Sequence, residues 1–100
     1  MEVDKITEKD VARAQSIFKA LSNPVRMKLL YALEGGEQNV STIANSLDLE
    51  QSVVSHQLAA LRKNYLVASE RIGKQVFYRL DDRHVLDILD SVMEHVQHTE

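Results

Sequence analysis

Residues 41–80 read STIANSLDLEQSVVSHQLAALRKNYLVASERIGKQVFYRL, and the period of their apolar residues changes partway along. Over residues 41–47, Ile43, Ala44 and Leu47 fall on one side of a short helix. Asp48-Leu49-Glu50 is a tight connection. Over residues 51–63, Val54, Leu58 and Leu61 form the apolar stripe of a second helix. Residues 65–71 and 75–80 then read as two strands. Ile72-Gly73-Lys74 is the turn between them, with glycine supplying its unusual backbone angles.

The flanks are helical. Residues 8–21 carry Val11, Ala14, Ile17, Phe18 and Leu21 at helical spacing. Ser22-Asn23-Pro24 breaks that helix and starts another: asparagine caps and proline suits the first helical position. Val25, Leu29, Leu30, Ala32 and Leu33 follow, and Gly35-Gly36 ends the run. Residues 85–96 hold Val85, Leu86, Ile88, Leu89, Val92, Met93 and Val96, a last helix that starts at Asp81 or Asp82.

Short helix, turn, helix and hairpin, in that order, predict a winged helix-turn-helix: mainly α with a β-hairpin, one domain over residues 1–100. The recognition helix is expected at about 51–63, the wing at about 66–80 and the last helix at about 82–98. Gln51, Ser52, Ser55, His56 and Gln57 are hydrogen-bonding side chains suited to base edges or phosphates, and Arg71 and Lys74 charge the wing. A polar helix face alone is usually only a solvated one. The short helix before it and the basic hairpin after it are what point to double-stranded DNA.

The net charge of −3 opposes that expectation until its distribution is considered. Residues 51–80 carry five basic side chains against Glu70, a balance of +4, whereas residues 81–100 carry six acids against Arg83, a balance of −5. The middle third is a basic patch of the kind that meets phosphates. Hydrophobic content of 44% and charged content of 27% are ordinary for a globular protein. No apolar run approaches ~18 residues and the N-terminus is acidic, so no membrane or signal segment is expected. Zero cysteines exclude disulfides and thiolate metal sites, and they fit a cytoplasmic protein.

Three of the four histidines lie in the last seventeen residues, in the pattern Asp82-x-His84 … His95-x-x-His98. Imidazole and carboxylate are ligands of four-coordinate zinc or cobalt. On a helix, His84 and His95 share a face but stand roughly 16 Å apart along the axis. One ion with bonds near ~2 Å cannot span that gap. Asp82 and His84 of one chain can meet His95 and His98 only on a second, antiparallel helix. The spacing therefore implies a two-fold homodimer with two equivalent sites. Four protein ligands would close each site, and no glutamate stands in a catalytic spacing such as His-Glu-x-x-His, so a metal-dependent hydrolase, and any enzyme, is disfavoured. The alternative is a winged helix DNA-binding regulator not controlled by metal, its histidines structural.

Ala20-Leu21-Ser22-Asn23-Pro24-Val25-Arg26-Met27-Lys28-Leu29-Leu30 resembles a characteristic segment of the ArsR/SmtB family of metal-responsive bacterial repressors. Residues 51–61 are similar to that family's recognition-helix signature, and Asn64-Tyr65-Leu66-Val67 with residues 73–80 to its wing. Asp82, His84, His95 and His98 match the C-terminal-helix zinc/cobalt site of its CzrA/SmtB-type members. The resemblance implies a homodimer with N- and C-terminal helices at the interface. It implies an apo form that binds operator DNA, and metal binding that weakens it and derepresses efflux or resistance genes. It also implies that His95 connects to the DNA-reading half near Tyr65. The family's cysteine site has no residues here. Glu50 departs from the small hydroxyl residue common before the recognition helix.

Overall fold

The computed structural model describes residues 1–99. Five helices and three strands follow one another as α1 (Glu8–Leu21), α2 (Pro24–Ala32), β1 (Gln38–Asn39), α3 (Val40–Leu47), α4 (Gln51–Lys63), β2 (Val67–Ile72), β3 (Gln75–Leu80) and α5 (His84–His98), with short 3-10 turns at Val3–Lys5 and Leu33–Gly35.

Side chains start most of the helices. Thr7 and Asp10 make a reciprocal capping box at α1, with bonds of 3.0 and 3.1 Å. Asn23 accepts from the Val25 and Arg26 amides, and Pro24 fills the first helical position of α2. Asn39 accepts from Thr42 at α3. Asp82 Oδ1 accepts from the His84 amide at 2.8 Å and opens α5.

The strands form one antiparallel sheet in the order β1-β3-β2. The register Val67↔Leu80 through Ile72↔Gln75 leaves a two-residue turn, Gly73-Lys74, with Gly73 at φ +62°. Strand β1 was not visible in the sequence, because two residues cannot show an alternation. The first wing strand starts at Val67, two residues after the Tyr65 expected. Tyr65 has φ +58°, and the amides of Tyr65 and Leu66 close back on Arg62 and Leu61, so residues 64–66 end α4 instead of opening β2.

Leu29, Leu30 and Leu33 from the second helical stretch, Ile43 from α3, Val54, Leu58 and Leu61 from α4, Val67 from β2 and Val85, Leu86 and Leu89 from α5 build a single core. Helix α1 joins it only at its C-terminal end, through Ala20, Leu21 and half-buried Ile17. The rest of its stripe stays uncovered: Val11 is 49% and Phe18 62% exposed. On α5, Ile88, Val92 and Val96 are 40%, 51% and 49% exposed, a second uncovered stripe beside the core-facing one.

Candidate nucleic-acid interface and metal centre

Helix α4 turns Val54, Leu58 and Leu61 inward, which leaves Gln51, Ser52, Ser55 and His56 on the exposed side. The wing folds over the start of this helix. Asn39, Ser41, Gln51, Ser55, Lys74 and Gln75 line one open groove there. Within it Gln51 Nε2 donates to Ser41 Oγ at 3.0 Å, and Asn39 Nδ2 donates to Gln75 Oε1 at 3.0 Å. Three of the expected DNA-facing residues therefore share a groove with three that sequence reasoning missed, Asn39, Ser41 and Gln75. Arg71 is exposed on β2, away from this groove. Gln57 is placed differently. It is half-buried at the edge of α4 facing α2, where its Oε1 accepts from Arg26 Nε at 2.7 Å.

No side chain caps α4. Glu50 occupies the capping position without bonding an amide of the first turn, so its exposed carboxylate stands at the start of the groove-facing helix.

The four candidate metal ligands lie at opposite ends of α5. His84 opens the helix with its side chain 90% exposed, and its Nδ1 lies 3.2 Å from Asp82 Oδ1. With Nδ1–H donated to that carboxylate, Nε2 keeps its lone pair free for a metal. Asp82 Oδ1 is thus engaged twice, by the His84 amide and by its ring; because Nε2 points away from Nδ1, the ring contact has to open before Asp82 and His84 can reach one ion. His95 and His98 close the helix, both exposed. Among the described residues of one chain, no three histidine, aspartate or glutamate side chains converge on a point that could hold a metal. The donor set is chemically suited to zinc or cobalt, but within one chain its two pairs stand at opposite ends of a fifteen-residue helix, too far apart for one ion. Ile88 and Val92 occupy the stretch of helix between the two pairs, and Val96 lies between His95 and His98.

Two acids of α5, Asp87 and Asp90, have partners within the chain. Tyr31 Oη donates to Asp90 Oδ1 at 2.8 Å. Arg83 donates to Glu34 at 2.8 Å and lies 3.6 Å from Asp87 and 3.9 Å from Asp90. Partial burial, the bond to Asp90 and the negative charge of Asp90 and Glu34 together push the Tyr31 hydroxyl up to about 12. A raised pKa stabilises the fold below the unfolded value near ~10, and that contribution disappears as pH rises through about 12. In an ultraviolet titration, the phenolate step that Tyr31→Phe removes is therefore expected near pH 12. A step near ~10 would mean that the bond to Asp90 is not held in solution.

Residues 23–69 match the family model described as "Bacterial regulatory protein, arsR family". The chain is 39% identical over 87 residues to the HTH-type transcriptional regulator NmtR of Mycobacterium tuberculosis, covering 87% of this chain and 72% of that protein. It belongs to the bacterial arsR family. Another relative is the cadmium resistance transcriptional regulatory protein CadC homolog of Staphylococcus aureus, 36% identical, covering 86% of this chain and 69% of that one. Among solved structures, the homodimeric winged helix-turn-helix DNA-binding domain of a possible ArsR-family regulator from Mycobacterium bovis superposes with a TM-score of 0.79. It is 28% identical and covers 92% of each chain. This arsR-family chain is a winged helix-turn-helix transcriptional regulator and not an enzyme. None of its helices, among the described residues, is long and apolar enough to cross a membrane.

Proposed function

We propose that this protein is a cytoplasmic, metal-responsive transcriptional repressor. As an apo homodimer it binds operator DNA, and zinc(II) or cobalt(II) at the dimer interface weakens that binding and derepresses metal efflux or resistance genes. The observation that carries this reading is the layout of α5. Two pairs of donor side chains stand at its ends, with the uncovered Ile88 and Val92 between them and Val96 between His95 and His98. An antiparallel second copy of α5 covers that apolar stripe and brings Asp82 and His84 of each chain to His95 and His98 of the other. The uncovered Val11 and Phe18 of α1 add to the same interface. The cadmium-resistance relative supports a metal effector, and the homodimeric Mycobacterium bovis domain supports the two-fold assembly.

When bound, the metal supplies a crosslink between the two chains. The protein's own residues do the rest. Asp82 holds His84 at the helix start, α5 fixes the spacing of the two donor pairs, and α4 with the wing meets the DNA. Gln51, Ser52, Ser55 and His56 face the duplex, and Arg71 and Lys74 face its backbone. Metal and DNA favour different arrangements of the two heads, so each weakens the other by the same factor, typically ~5- to 150-fold.

The test is a cobalt titration of the apo-protein followed by visible absorption, then zinc competition, then DNA binding with and without zinc. Intense tetrahedral bands saturating at one cobalt per chain, lost on adding zinc, together with weaker DNA binding in zinc, are expected. Saturable DNA binding that ignores zinc would leave a winged helix regulator with another signal.

Glu50 gives a second expectation. Its carboxylate makes no cap and stands exposed at the start of the reading helix, so Glu50→Ser supplies a cap worth ~1 kcal/mol and removes a charge of the same sign as phosphate. DNA affinity is expected to rise several-fold at low salt, with the gain shrinking as salt increases. An unchanged affinity at low salt would place Glu50 away from the DNA.

A further inference from the structure

Helix α2 is hydrogen-bonded to both helices that carry the candidate sites. Near its C-terminal end Tyr31 Oη donates to Asp90 of α5 at 2.8 Å; near its N-terminal end Arg26 Nε donates to Gln57 of α4 at 2.7 Å. All four side chains are half-buried. Between the two bonds, Leu29 and Leu30 are completely buried, so α2 is anchored in close-packed core. Asp90 also shares the Arg83 guanidinium with Glu34 and Asp87, and Arg83 sits between Asp82 and His84 in the chain. The ligand-bearing start of α5 is thereby tied to the residues that follow α2.

Each bond constrains what the other can do. If α5 shifts and α2 stays, the Tyr31 hydroxyl and the Asp90 carboxylate separate in a partly buried place, a penalty on the order of tenfold in an equilibrium constant. If α2 follows, Arg26 moves with it. Because Arg26 only donates, Gln57 must present its amide oxygen there, and α4 has to turn to keep the bond.

We infer that α2 is an intrasubunit relay, with Tyr31–Asp90 and Arg26–Gln57 as positioning contacts that couple displacement of α5 to the DNA-facing side of α4. This rests on the proposed metal response and names the route by which it reaches the reading helix.

The test uses full-length dimer, zinc alone, and a duplex that the wild-type protein selects from a random pool. The readout is the ratio of DNA dissociation constants with and without zinc, together with amide hydrogen exchange across residues 51–63 before and after zinc. If the wild-type ratio is near ~100-fold, Tyr31→Phe and Arg26→Met should each lower it to ~10-fold or less. Each should also blunt the zinc-dependent change in exchange over α4, while cobalt and zinc affinities without DNA stay within a few-fold. The double variant should lose little more than either single one, the signature of one shared route. Asp90→Asn keeps an oxygen for the Tyr31 hydroxyl and should retain the ratio. Wild-type ratios in both single variants would overturn the relay while leaving the metal response intact. A wild-type protein whose DNA binding ignores zinc would overturn the metal response and the relay with it.

Discussion

His95→Ala is expected to lower zinc affinity by about two orders of magnitude and to leave DNA binding indifferent to zinc. A four-ligand protein zinc site carries ~10–16 kcal/mol, so one imidazole stands for ~3 kcal/mol, or roughly 100-fold in affinity. The side chain is exposed at the end of α5 and lies outside the core, so its removal should cost the fold no more than ~0.5 kcal/mol. Calorimetric zinc titration, paired with a thermal melt, separates the two effects. Full zinc affinity in the variant would remove His95 from the ligand set.

Val92→Glu is expected to produce a monomer that also fails to bind zinc tightly. Val92 is 51% exposed in the middle of the α5 stripe and lies outside the core. In a two-fold interface the substitution counts twice. At ~2 kcal/mol for each of the two symmetry-related side chains, the dimer dissociation constant should rise about 1,000-fold. Because each proposed site draws on both chains, metal affinity should fall with it although residue 92 is not a ligand. Sedimentation equilibrium reads the first effect and cobalt absorption the second. A dimeric Val92→Glu protein would place the interface elsewhere.

Much of this was legible in the sequence because it is written in local periods. The stripe Val54, Leu58, Leu61 gave α4, and the alternation after Leu66 gave the hairpin. The eleven-residue step from His84 to His95 placed both on one face of one helix. The α1 stripe was also legible, but Val11 and Phe18 stay outside the core of their own chain, since a period reports that a face is apolar and not what covers it. Strand β1 and the left-handed Tyr65 were missed: a two-residue strand has no period, and tyrosine carries no signal for a positive φ. The Tyr31–Asp90 and Arg26–Gln57 bonds join residues 59 and 31 positions apart, beyond any local pattern. Gln57 looked like one more polar residue facing DNA.

If each metal is held by both chains, mixed dimers will reveal it. His84→Ala and His95→Ala proteins, unfolded together in equal amounts and refolded, yield heterodimers with one doubly damaged site and one site built wholly from intact residues. Neither variant alone should bind zinc with wild-type affinity, and the mixture should regain about one quarter of the wild-type sites, the fraction that random two-fold pairing creates. A mixture that binds no better than the average of its two parents would contradict a metal shared across the interface.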